Sequence, residues 1–140
     1  MAKNFNFKNF NFTVKTNEKK DIDEGFDQIE EAHNLYEDGI LTLEEFNKIK
    51  GDRLKDKLEP STSLSRNLES ISAFYELREN RILSNNEFDH LMKKFLAVKN
   101  FKIEKNDVLE AIELVHEYVD EDIVTEETFS EFKTELLAEF

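Results

Sequence analysis

The chain has 140 residues, a net charge of −13 and no cysteine. This length suits one compact domain, and without thiols the chain can form neither disulfides nor thiolate metal sites or nucleophiles. No run approaches the roughly eighteen apolar residues of a membrane helix, and the first residues lack the apolar core of a secretory signal. We therefore expect a cytoplasmic protein that has no membrane contact.

Charge is distributed unevenly along the chain. Residues 1–20 contain five Lys and one Glu, a net of +4, whereas residues 107–140 contain twelve acids and one base, a net of −11. Residues 21–56 carry a net of −8 and residues 57–106 a net of +2. Because binding to phosphates needs Lys and Arg, we expect no direct nucleic-acid binding by the acidic segments. A protein with a basic surface is the natural partner.

The N-terminal residues alternate Phe with Asn and Lys, a period of two that predicts a strand. No other segment has a strand pattern, and a single strand cannot satisfy its own backbone groups. Its partner would be a second copy, another protein or an apolar groove on the helices; the alternative is a frayed low-complexity tail. Stacking on single-stranded bases is less favoured, because the acidic body repels phosphates. Residues 1–20 are thus predicted to be a β-prone docking arm.

One twelve-residue phrase occurs three times. Leu35–Phe46 recurs as Leu77–Phe88 and again as Tyr118–Phe129, at shifts of 42 and 41 residues. A fixed period of this length indicates a repeat architecture, and units near 40 residues rarely fold alone. We predict one compact repeat domain over residues 21–140. It consists of hairpin 1 at 21–58, a linker and hairpin 2 at 59–98, and a linker and hairpin 3 at 99–140.

Each copy of the phrase predicts a helix, a tight turn and a second helix. Asp38-Gly39 ends the first helix, because Gly can adopt the left-handed cap, and Ile40 and Leu41 are expected to tuck beneath the turn. Thr42 and Glu45 form a capping box for the next helix. The predicted fold class is all-α, three helix-turn-helix hairpin repeats with a β-prone N-terminal arm. The six helices are expected at 24–38, 43–57, 65–80, 85–98, 107–121 and 126–138.

The segment Gly39–Lys50, with the sequence GILTLEEFNKIK, resembles the short C-terminal domain family of bacterial and phage proteins, called SHOCT. Arg81–Phe88, and Asp122–Phe129 followed by Lys133, match in outline, although neither has the Gly and the third copy has Thr128 where the Glu should be. Together the copies cover about residues 26–138. This resemblance implies a small helical hairpin that acts as an assembly or regulatory appendage.

Two metal hypotheses arise from the same segments. Asp38–Glu45 imitates half of a calcium loop, but Tyr36 stands where a carboxylate or carbonyl ligand is needed. Glu30–His33 and Glu113–His116 are Glu-x-x-His segments of the type found in helical di-iron proteins. Tyr75 fills the His position in the middle copy, which favours a packing position at the rim of the hairpin. We predict no metal and no cofactor.

These patterns predict a non-enzymatic interaction or assembly module, which self-associates into a homo-oligomer or docks a partner through its arm. Alternatively, the acidic hairpin mimics nucleic acid and inhibits a DNA- or RNA-binding protein; a helical di-metal protein is a lesser alternative. No catalytic residue is predicted. The predicted partner-binding residues are Phe5, Phe7, Phe10 and Phe12 in the arm, and Glu110, Glu113, Glu117, Asp120, Glu121, Glu126, Glu127 and Glu131 on the acidic hairpin.

Overall fold

A computed structural model describes the backbone of residues 17–55 and 58–140, and side chains from Gly25 onward within those ranges. This part of the chain is helical and contains no strand, which confirms the predicted all-α class. Of the arm predicted at residues 1–20, residues 1–16 lie outside the described residues, and residues 17–20 are helical. The α-helices are α1 (Asn17–Glu37), α2 (Leu43–Lys55), α3 (Leu64–Glu79), α4 (Asn85–Phe95), α5 (Val108–Asp120) and α6 (Glu126–Ala138).

Helix boundaries follow the sequence prediction except at two ends. α1 begins at Asn17, seven residues before the predicted start, because residues 17–24 contain neither Pro nor Gly to stop it. α4 ends at Phe95, three residues early, and the backbone turns extended at Ala97 before a short 3₁₀ helix, Val98–Asn100. The side-chain Nδ2 of Asn100 donates to the Lys94 carbonyl at 2.9 Å and satisfies one of the free carbonyls at the end of α4.

The described residues group into two units, each with its own buried residues. Unit 1 comprises the described part of Met1–Glu59 together with Glu76–Ser84, and unit 2 comprises Pro60–Tyr75 and Asn85–Phe140. The largest buried side chains of unit 1 are Phe26, Ile29, Phe46, Leu54, Leu77, Ile82 and Leu83. Those of unit 2 include Leu68, Ile71, Phe74, Phe88, Met92, Phe95, Phe132 and Leu136.

The turn between the two helices of each hairpin has the same backbone geometry in all three copies. Gly39, Arg81 and Asp122 occupy equivalent positions and have φ values of 81°, 65° and 63°. The next two N–H groups both donate to one carbonyl near the helix end, at 2.8–3.2 Å. These carbonyls are Leu35 for the first copy, Leu77 for the second and Tyr118 for the third.

Together with the bonds from Gly39 to Tyr36, from Arg81 to Arg78 and from Asp122 to Val119, this is a Schellman motif repeated three times. Two residues with a Cβ hold the left-handed position that Gly usually takes. The hydrogen-bonded turn therefore persists in the copies that lack its sequence signal.

Side-chain caps begin the second helices. The Glu45 N–H donates to Thr42 Oγ1 at 3.0 Å and the Thr42 N–H donates to Glu45 Oε1 at 2.9 Å, so the predicted capping box is confirmed. In the third copy Thr128 replaces the box Glu. Its N–H donates to Thr125 Oγ1 at 3.2 Å, and the two hydroxyls are 2.9 Å apart. The start of α6 thus keeps one of the two hydrogen bonds of a capping box and adds a hydrogen bond between two hydroxyls.

Side-chain burial differs between copies although the turn does not. Ile82 and Ile123 are buried, as expected for the residue after the turn, but Ile40 is 67% exposed. The expectation that Ile40 tucks beneath its turn is therefore wrong. Since the backbone hydrogen bonds are equivalent, the difference lies in what packs over the side chain and not in the path of the chain.

The joint before α3 in unit 2 is fixed by a buried amide. Asn67 is 1% exposed; its Nδ2 donates to the Phe95 carbonyl at 2.9 Å and to the Ser61 carbonyl at 3.1 Å. Its Oδ1 accepts the Ser61 N–H at 2.8 Å. Ser63 Oγ then accepts the Arg66 N–H at 3.4 Å and caps α3.

Candidate functional site

The His positions of the two Glu-x-x-His segments contribute to hairpin packing. In each copy a ring on the first helix of the hairpin contacts the Phe that ends the twelve-residue phrase, on the second helix of the same hairpin. The ring centroid distances are 5.3 Å for His33 and Phe46, 6.0 Å for Tyr75 and Phe88, and 5.2 Å for His116 and Phe129. His33 is buried, Tyr75 is half-buried and His116 is exposed, so the position is not at a uniform depth.

Each of these two His residues has an acidic neighbour on its own helix. His33 Nε2 is 3.9 Å from Glu37, and His116 Nδ1 is 3.6 Å from Asp120, each one turn further along. Within residues 25–55 and 58–140, no three His, Asp or Glu side chains come together in an arrangement that could hold a metal ion. The di-metal hypothesis therefore gains no geometric support from the described side chains.

The Lys four residues after the repeat Phe also has a packing role. Lys50 Nζ lies 5.6 Å from the centroid of the Phe46 ring, and Lys133 Nζ lies 5.2 Å from that of Phe129. Cations over aromatic faces stabilise such contacts by about 0.5–1 kcal/mol at exposed sites. Lys50 also donates to the Ile82 carbonyl at 3.0 Å within unit 1. This Lys therefore serves the fold of the hairpin.

The eight acids predicted to bind a partner are all exposed in unit 2. Glu110, Glu113 and Glu117 share one face of α5, since they are separated by three and four residues. The others lie at the end of α5, in the turn and on α6: Asp120, Glu121, Glu126, Glu127 and Glu131. The structure thus divides the predicted acidic surface into an α5 face and a set on the turn and α6.

The α5 face borders a groove of about 450 Å³ within unit 2. Its apolar lining comes from the start of α3, the segment before α5, and α5 itself: Leu64, Ile103, Ala111 and Leu114. Three of these side chains are half-buried and Ala111 is buried. Below we call this feature the α5 groove.

Charged residues along the α5 groove are mostly acidic. Asp107, Glu110, Glu113 and Glu117 line it, together with a single cation, Lys102. Sequence reasoning found three of these acids but missed the groove. The spacing of Ala111 and Leu114 on α5 was a usable signal, whereas the contribution of Leu64 and Ile103 comes from tertiary folding.

Two side chains near the hairpin turns have displaced pKa values. Burial raises the pKa of Glu76 in unit 1, and the neighbouring charge of Glu79 raises it further. In unit 2, burial and the charge of Glu69 raise the pKa of Tyr118, while a hydrogen bond with Ser72 acts in the opposite direction. Tyr118 is thus held as a neutral phenol, and neither side chain lines the α5 groove.

Comparisons with protein-family models, curated protein sequences and solved structures give no match. The SHOCT-like resemblance therefore stays a prediction from the residues. In the described part of the chain, no helix has the length and apolar character needed to cross a membrane.

Proposed function

We propose that this chain is a non-enzymatic protein-interaction and assembly module that self-associates through its N-terminal arm. Three features support this proposal: the repeated hairpins, the aromatic and basic arm, and the α5 groove. The His, Tyr and Lys side chains at equivalent repeat positions contact the Phe rings of their own hairpins.

The observation that carries the proposal is the opposite charge and matching apolar character of two parts of one chain. Residues 1–20 carry a net of +4 and four Phe, while four exposed acids of residues 107–117 border a groove with an apolar lining. Complementary potentials speed encounter and fix register, and burial of aromatic rings supplies affinity. Because every copy carries both the basic aromatic arm and the acidic groove, the arm of one copy can bind the groove of another.

The SHOCT-like resemblance agrees with this proposal, because it implies an assembly or regulatory role for a helical hairpin. On the same basis we propose a bacterial or phage origin and a cytoplasmic location. Three hairpins in tandem would then act as the body that presents the arm.

Light scattering and circular dichroism test the proposal. The full chain should form a defined oligomer, and a variant that lacks residues 1–16 should be monomeric with unchanged helicity. A second variant with Phe5, Phe7, Phe10 and Phe12 replaced by Ser keeps the length and charge of the arm, so it isolates the aromatic contribution. A full chain that stays monomeric at all concentrations, or a truncated chain that assembles like the full one, contradicts self-association through the arm.

A second candidate function is nucleic-acid mimicry, favoured by the exposure of all eight predicted acids in unit 2. In this case unit 2 would occupy the basic surface of a DNA- or RNA-binding protein. Competition for duplex DNA by a panel of bacterial DNA-binding proteins tests this. The chain should displace DNA from its target, and the inhibition should weaken steeply as salt rises. Displacement that is insensitive to salt would refute mimicry.

A further inference from the structure

The N-terminal arm contains an exact duplication, and each of its two copies is about as long as the acidic border of the α5 groove. Lys3–Phe7 and Lys8–Phe12 both read Lys-Asn-Phe-Asn-Phe. In an extended chain residues i, i+2 and i+4 point to one side, so each pentad presents one Lys and two Phe on one face. The two faces are opposite, because five is an odd number. Each pentad is thus a complete docking unit with one cation and two rings.

The lengths of the two features agree. Four steps of extended chain, from Lys to the second Phe, cover about 13 Å. On the other side, the ten residue-to-residue steps from Asp107 to Glu117 cover about 15 Å at the helical rise. One pentad therefore spans the acidic border of the α5 groove, and two pentads would overrun it.

The chemistry of the two features agrees as well. The Phe rings of a pentad match the apolar lining formed by Leu64, Ile103 and Leu114. The Lys matches the carboxylates of Glu110 and Glu113, which are exposed. The Asn side chains of the pentad alternate with these groups and would remain in water.

We propose that the α5 groove of one copy binds a Lys-Asn-Phe-Asn-Phe pentad from the arm of a second copy. This inference rests on the proposed function, and it identifies the receptor for the arm. A Lys on the acidic border sets the register, while the two Phe side chains occupy the apolar lining. Contacts of this kind pass from one copy to the next through different surfaces and so generate rings or open chains.

A charge-exchange experiment on the full chain tests the proposal. The arm variant carries Lys3→Glu and Lys8→Glu, and the groove variant carries Glu110→Lys and Glu113→Lys. Each variant alone opposes like charges, so its self-association should weaken roughly tenfold or more. An equimolar mixture should regain association, because each variant then offers the complement of the other. Light scattering and sedimentation velocity measure the masses, and circular dichroism confirms retained helicity.

The matched control carries Glu135→Lys and Glu139→Lys at the C-terminal end of α6, outside the predicted partner-binding residues. It changes the net charge by the same amount, at exposed positions in and directly after a helix that is also 13 residues long. Its association should stay within about twofold of the natural chain if the α5 groove is the receptor. Equal losses in the groove and control variants would show diffuse attraction and overturn the site.

A mixture that fails to regain association also overturns the proposal. Failure here is distinguishable from failure of the proposed function. If removal of residues 1–16 abolishes assembly while the groove variant assembles normally, the arm mediates assembly at another receptor. If the full chain never assembles, the proposed self-association itself is wrong.

Discussion

The repeated turn permits a direct test of the local repeat geometry through glycine substitution. Arg81 and Asp122 hold a left-handed backbone that costs an L-residue about 1–2 kcal/mol. Glycine removes this cost, but it adds about 0.4–1 kcal/mol of conformational entropy to the unfolded chain. Arg81→Gly and Asp122→Gly should therefore each raise the free energy of unfolding by about 0.5–1 kcal/mol, although neither adds a contact.

The reverse substitution should have the opposite effect. A Cβ added at Gly39 meets no atom within 4 Å, so no collision contributes to the cost of Gly39→Ala. What remains is the backbone conformation at φ 81°, and we expect a loss of about 1 kcal/mol. At all three positions Gly would then give a more stable chain than a residue with a Cβ.

Urea unfolding followed by circular dichroism measures these changes, and Glu121→Gly provides the control. Glu121 precedes Asp122 and has an ordinary φ of −90°. Glycine there should lower the free energy of unfolding by about 0.5–1 kcal/mol, because it gains flexibility without relief of strain. Destabilisation by Arg81→Gly and Asp122→Gly equal to that of the control would refute the equivalence of the three turns.

Two further predictions concern buried polar groups. Asn67→Ala should lower the free energy of unfolding by about 2–4 kcal/mol, because it leaves the Phe95 carbonyl and the Ser61 N–H without their partner. The control, Asn86→Ala at an exposed position, should change the free energy of unfolding by less than about 0.5 kcal/mol. Glu76 has a raised pKa in the folded chain, so its ionisation opposes folding as pH rises above the ordinary value of 4.5. Glu76→Gln should stabilise the chain near neutral pH, and in urea titrations from pH 4 to 8 this gain should vanish at the acidic end.

The local structure of the hairpins was largely predictable, because its determinants are close in sequence. In the first copy, Gly39 indicated the end of one helix, and the capping pair Thr42 and Glu45 indicated the start of the next. Arg81 and Asp122 lack that signal, and only alignment with the first copy indicated their turns. The exposure of Ile40 and the lining of the α5 groove depend on packing between distant segments, which residue spacing does not encode.

The arm illustrates the same division. Its alternation is a local pattern and predicts an extended segment, but the receptor proposed for it consists of side chains that only folding brings together. Leu64 and Ile103 are 39 residues apart in the chain and line the same groove. The acids of the groove border were within reach of sequence reasoning, since their spacing places them on one helix face.

The threefold turn has a consequence for how this protein can diversify. The turn geometry depends on main-chain hydrogen bonds that form with Gly, Arg or Asp at the same position, so the outward residues of each hairpin can vary. Net charge has drifted far, from −8 in residues 21–56 to −11 in residues 107–140, with a slightly positive segment between them. One turn geometry thus occurs in segments of very different surface charge.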